Sequence, residues 1–217
     1  MPSVTETESR PARRTGRPPL TDRATLLAAA RELGFSDLTV GAVTARVGVK
    51  YSTFYRHFPS LESLVAALVD DVVTEDAFPD AEGRWQEQLL AFAAATFDIM
   101  AAHPGLAPAM VRLPETPDAL MAAMQRLTDR LLAAGFSAED AVLATSTAFE
   151  MGMHPWLSAN GQGVGDARRR DQIIDSTRQL DPRIRAVFRD QVDNPPRSWT
   201  LRRVELVIAG LEARPAG

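Results

Sequence analysis

Between Leu38 and Phe58 the chain reads LTVGAVTARVGVKYSTFYRHF, which sets hydrogen-bond donors at helical spacing among aromatics. Lys50, Tyr51, Ser52, Thr53 and Arg56 would share the outward side of a short helix, with Phe54 and Phe58 turned inward. Donors of these types bond to phosphate oxygens and to the edges of base pairs. Thr39 is placed to cap a preceding helix carrying Val43 and Val47, and Gly48 permits a tight reversal between the two. Two short helices around a glycine turn make a helix-turn-helix, whose second helix fits the major groove. Helical hairpins with a glycine turn also occur in proteins that bind nothing, so the shape alone leaves both readings open.

Other chemistry is sparse. The histidines are His57, His103 and His154, and only His154 has a suggestive neighbour, Glu150, one helical turn back. Such a pair supplies two metal ligands where a metal needs more, so no metal site is expected. The absence of cysteine excludes thiolate sites, thiol nucleophiles and disulfides. No phosphate loop, nucleophile elbow or zincin motif is present. An enzyme is therefore the weak reading, and no cofactor is implied.

The elements that would position these residues read as all-α. Thr21 or Asp22 can cap a first helix that stops at Gly34, the second runs from Thr39 to Gly48, and the third spans Lys50 or Tyr51 to His57 before Pro59. Ser60 caps a fourth helix, apolar at Leu61, Leu64, Val65, Leu68, Val69 and Val72, expected to reach Glu75 and to bridge two halves of the chain. The C-terminal body offers helices over about 83–102, 106–112, 118–134, 137–158, 166–179, 181–192 and from Ser198 onward, with Asn160 to Asp166 as a glycine-rich loop. Residues 1–19 are rich in Pro, Arg, Ser, Thr and Glu and are expected to be a disordered basic arm. The expected organisation is thus the arm, a helix-turn-helix domain with its linking helix over 20–76, and a helical body over 77–217.

Charge follows that division. Residues 1–60 carry nine basic and five acidic groups, a balance of +4 within a net charge of −4, which leaves −8 on the remainder. A basic segment on an acidic body suits a polyanion-binding module joined to a different working domain, although a chance imbalance on a solvated surface looks the same. No stretch has the length of apolar sequence needed to span a bilayer, and the N-terminus has no apolar signal region, so a cytoplasmic protein with no membrane partner is expected.

Methionines and aromatics collect in the body. Phe97, Met100, Met110, Met124, Phe149 and Met153 could line a deformable apolar pocket, with His103, Gln125, Glu150 and His154 as the polar groups able to fix one end of a small ligand. At helical spacing each of the methionines and aromatics is, taken singly, more readily read as core.

The run GRPPLTDRATLLAAARELGFSDLTVGAVTARVGVKYSTFYRHFPSLESLVAAL closely resembles the N-terminal domain of TetR-family repressors, from about Arg17 to Val69. It shares the first helix ending in Gly-Phe, the Thr-capped second helix, Gly-Val, the Phe-Tyr-x-His-Phe block and the Ser-x-Glu-x-Leu opening of the fourth helix. Beyond Val69 the likeness is loose. The resemblance implies an N-terminal three-helix DNA-binding domain and a helical ligand-binding and dimerisation domain. One short recognition helix reads few bases, so a dimer on a palindromic operator is expected, and the methionines and aromatics of the body lead us to expect release by a small, mostly apolar effector. The resemblance implies a DNA-binding set of Thr39, Lys50, Tyr51, Ser52, Thr53, Tyr55, Arg56 and His57, in which the Tyr55 hydroxyl meets a phosphate. One departure is Leu61, where relatives usually carry lysine. Arg13, Arg14 and Arg17 of the arm could compensate for that lost phosphate contact, or simply solubilise the tail. The resemblance also places the dimer interface on the helices near 137–158 and 198–213, with Ala141, Ala144, Ala148 and Gly152 permitting close approach. Two other classes remain: a regulator controlled by a protein partner, and a small-molecule carrier or enzyme with a vestigial helix-turn-helix.

Overall fold

The computed structural model describes residues 21–78, 83–157, 167–193 and 196–213. Every regular element among them is helical. Helix α1 (Arg23–Leu33) starts where the Asp22 carboxylate accepts the Thr25 amide at 2.8 Å, and α2 (Val40–Val47) where the Thr39 hydroxyl oxygen accepts the Ala42 amide at 3.0 Å. These caps satisfy amides that a helix leaves unpaired in its first turn. After α3 (Tyr51–Phe54), Ser60 opens α4 (Leu61–Val72) with a reciprocal box, its hydroxyl and that of Ser63 each taking the other's amide at 3.2 Å. Leu26, Ala30, Leu38, Val43, Phe54, Phe58, Leu64 and Leu68 close into one buried cluster, the core of an N-terminal head.

The body holds α5 (Trp85–Ala102), α6 (Leu106–Val111), α7 (Asp118–Ala133), α8 (Ala138–Met153), α9 (Ala167–Ser176), α10 (Pro182–Asp193) and α11 (Pro196–Glu212). Its core begins on α4 itself, at Val69, continues through Val73 and Phe78, and takes in Leu89, Met100, Leu106, Leu120, Leu131 and Val204. Helix α4 therefore contributes to both clusters.

Several boundaries differ from expectation. Helix α4 ends at Val72 rather than near Glu75, because Val73 turns out of helical geometry into the body core and a 3-10 turn follows at Glu75–Ala77. Helix α8 ends at Met153 rather than Ser158: Pro155 brings no amide, and His154–Trp156 form a 3-10 turn. Helix α11 begins at Pro196, two residues before Ser198, since proline is well suited to a first helical position. The basic arm at 1–19 and the Asn160–Asp166 loop lie outside the described residues.

The small residues of α8 do not form an outward seam. Ala141, Ala144, Ala148 and Gly152 are all buried within the chain. Gly152 faces α5 so closely that a Cβ there would stand 2.7 Å from Thr96 Cβ and 2.8 Å from the Ala93 carbonyl oxygen. The outward face of α8 instead presents Val142 and Leu143.

This contact yields a signed prediction. Alanine is favoured over glycine inside a helix by roughly 1 kcal/mol, but neither Thr96 Cβ nor a backbone oxygen can swing aside. Gly152→Ala is expected to lower stability by about 1–3 kcal/mol, read as a lower melting temperature in thermal denaturation.

Candidate nucleic-acid interface

The turn between α2 and α3 depends on Gly48, whose φ of 74° and ψ of 32° lie in the left-handed region that glycine enters without a Cβ clash. The Val49 amide then reaches back to the Thr44 carbonyl at 3.0 Å, fixing the approach of α3. Regular helix covers only Tyr51–Phe54, and Tyr55, Arg56 and His57 follow in a further turn that the Phe58 amide closes on the Phe54 carbonyl at 3.0 Å. Phe54 and Phe58 are fully buried, their rings 5.9 Å apart, and pin this segment to the head core.

The opposite side is open. Tyr51 and Tyr55 are 57% and 52% exposed, and Lys50, Ser52 and Arg56 are exposed with them. Tyr55 stacks edge-on to Phe54 at 5.3 Å, which sets its ring while its hydroxyl stays outside. Arg56 donates to the Thr53 hydroxyl at 3.3 Å. The Tyr51 ring folds back over the start of α2, where its hydroxyl lies 2.8 Å from the position a Cβ on Gly41 would occupy. Tyr51 thus shares a ledge with Thr39 instead of projecting straight from α3. His57 is half-buried, and its carbonyl accepts from Arg23 Nη1 at 3.3 Å.

Arg23 was counted in the sequence only as one of the basic residues. Its guanidinium stands 4.3 Å from the centroid of the Phe58 ring, beside His57 and the donor face. Its placement depends on the start of α1 lying against His57 and Phe58, more than thirty residues on in the chain, for which the local sequence carries no signal. Two other head arginines are committed elsewhere: Arg46 pairs with Glu32, and Arg31 with Asp71, which raises the Arg31 pKa through the hydrogen bonds and the charge of that carboxylate. Arg13, Arg14 and Arg17 lie outside the described residues.

In the body the expected ligand set divides. Met110, Phe149 and Met153 meet around a cavity of about 180 Å³ shared with Leu120. Phe97 and Met100 are buried in the interior, Phe97 edge-on to Trp156 at 5.1 Å, and Met124 packs against the core. His103 ends α5 and is pushed below the usual imidazole range by burial. Gln125 is exposed and donates to Asp129 at 2.7 Å, and Glu150 and His154 are likewise exposed. No group of three or more metal-binding side chains gathers among the described residues, and no helix there is long and apolar enough to cross a membrane.

Residues 26–68 match the family described as bacterial regulatory proteins, tetR family, and residues 78–160 match the tetracyclin repressor-like C-terminal domain. The chain belongs to the TetR family. As such it is a DNA-binding transcription factor and not an enzyme. Among solved structures it is similar to SCO7222, a TetR regulator from Streptomyces coelicolor, with 24% identity and a TM-score of 0.63 over 89% of this chain and 98% of that one. The TetR-family protein ActR from the same organism, solved in complex with (S)-DNPA, has 20% identity and a TM-score of 0.68 over 91% and 99% of the two chains. TetR from Acinetobacter baumannii AYE has 20% identity and a TM-score of 0.65 over 88% and 97%. At these identities the likeness shows the TetR fold. No curated protein sequence matches the chain.

The division of α3 into an anchored and an open side is testable without DNA. Phe54→Ala is expected to cost about 3–5 kcal/mol and to melt the head, whereas Tyr51→Ala and Tyr55→Phe leave the melting temperature nearly unchanged in the same assay.

Proposed function

We propose that this TetR-family regulator is a repressor that binds a palindromic operator as a homodimer and releases it when a small, mostly apolar effector enters the body. The observation that carries the DNA half is the open donor face of α3, held on a buried aromatic base. In this reading Tyr55 and Thr39 meet phosphates, while Lys50, Ser52, Thr53 and Arg56 face base edges, with Tyr51 and His57 at the margin. Arg13, Arg14 and Arg17 would add contacts from the arm.

One recognition helix reads few bases, and two-fold symmetry doubles the site. Helices α8 and α11 pack side by side. Their outward faces carry Val142, Leu143 and Leu206, the last 75% exposed, an apolar surface that a second copy would cover. The effector half is supported by the cavity at Met110, Phe149 and Met153 and by the ligand-bound form of ActR. At about 180 Å³ the cavity is below the roughly 300–1,000 Å³ of typical ligand pockets. A ligand would therefore have to displace Met110 of α6, and α6 contacts α4. Movement of α4 would change the spacing of the two reading helices, which grooves a fixed distance apart do not tolerate.

Two measurements test this reading. In a selection from randomised DNA, Tyr55→Phe is expected to weaken binding to all sequences alike, whereas Arg56→Ala or Thr53→Ala shifts the preferred bases, each good base contact contributing about 1–3 kcal/mol of discrimination. Unchanged preferences in both base-side variants would remove the assignment of that face. Light scattering is expected to give a dimer mass for the wild type and a monomer mass for Leu143→Asp combined with Leu206→Asp. A wild-type monomer at micromolar concentration would refute the dimer.

A further inference from the structure

A second and larger cavity, about 500 Å³, lies where head meets body. One wall is the head, with Phe35, Leu38, Leu61 and Val65, and the other is the body, with Ala109 and Leu113. Its volume falls within the roughly 300–1,000 Å³ range of small-molecule sites. Beside it the two units touch directly: the Ser36 hydroxyl donates to the Pro104 carbonyl at 3.2 Å, and a Cβ on Gly105 would stand 2.9 Å from Phe35 Cβ. Leu61, the first residue of α4, keeps the head wall apolar.

Two charged side chains line this apolar space, Glu62 and Arg112. Glu62 lies in the first turn of α4, where its own amide N–H and the Ser60 hydroxyl hold its carboxyl below the usual range and so keep it ionised, which leaves Arg112 as the cationic group of the lining. Arg112 is exposed at the end of α6 and has no ion pair or hydrogen bond among the described residues. A guanidinium presents a planar fork of donors that matches a carboxylate.

We infer that this cleft is a binding site for an amphipathic anion, an alkyl or aryl carboxylate whose apolar part lies between α4 and α6 and whose acid group is held by Arg112. The site is separate from the Met110 cavity of the body, although Leu113 and Pro114 touch both. Because the occupant contacts head and body at once, it bridges the two units that must move relative to each other in the regulator reading. Binding itself does not rest on that reading.

Isothermal titration calorimetry on the full chain without DNA tests the site, using octanoate, 1-octanol and octylammonium as probes. Octanoate is expected to bind saturably, with octylammonium weaker by about tenfold or more, as befits a charge-assisted contact. Arg112→Gln is expected to remove that preference and to leave 1-octanol binding as it was. Ala109→Phe fills the cleft from the body side and Leu61→Phe from the head side, and each is expected to abolish octanoate binding while the melting temperature shows which of them folds. Octylammonium binding as tightly as octanoate, or octanoate binding that survives whichever filling variant folds, would overturn the inference. So would the absence of saturable octanoate binding by the wild type. Since no DNA is present, failure of the operator reading leaves these outcomes interpretable.

Discussion

Helix α4 belongs to two hydrophobic cores. Leu64 and Leu68 are buried among the head helices, while Val69 and Val73 are buried in the body. At 1.5 Å of rise per residue the change of core occupies a single step, which leaves no linker between the units. Burying a leucine or valine side chain contributes about 1.5–3 kcal/mol, whereas an exposed ion pair such as Arg31 with Asp71 contributes about 0–1 kcal/mol. Burial therefore decides how the head is held, and the ion pair only trims its angle. Any force on α4 from the body is delivered to the head core.

The reading surface follows from the same constraint. A helix as short as α3 has no stability of its own in water, because nucleation costs more than one turn returns. It persists because Phe54 and Phe58 fill the head core and Gly48 sets the angle of entry. With its inner side anchored, its outer side is free to present polar groups to solvent. The bend of Tyr51 over Gly41 ties the starts of α2 and α3 into one polar ledge, and a side chain at 41 would displace the exposed Tyr51 hydroxyl from it.

The sequence disclosed what is local. Thr39 and Ser60 cap the helices they were expected to cap, and of Thr21 and Asp22 it is Asp22 that caps the first, because each cap is a side chain meeting an amide three residues on. The all-α class and the open side of α3 were legible for similar reasons, and the TetR resemblance rested on that same stretch. What was not legible depends on partners distant in the chain. The stop of α4 at Val72 has no glycine or proline to announce it, because the body core draws Val73 aside. The small residues of α8 signalled a close approach but could not say to which helix, and α5 proved to be the neighbour. The cleft at the head is assembled from three separated segments, around 35–38, 61–65 and 105–114, so no window of sequence contains it.

The account stands most directly on the claim that the head is carried by α4 in a two-fold dimer whose two reading helices are fixed by DNA. The chain has no cysteine, so Ala28→Cys on the exposed side of α1 takes a single spin label per protomer. Dipolar spectroscopy on the labelled protein, alone and with its selected operator, measures the separation of the two heads. The account predicts one inter-head distance that narrows when operator is added. The absence of any inter-protomer dipolar signal, or a distribution unchanged by operator, would contradict it.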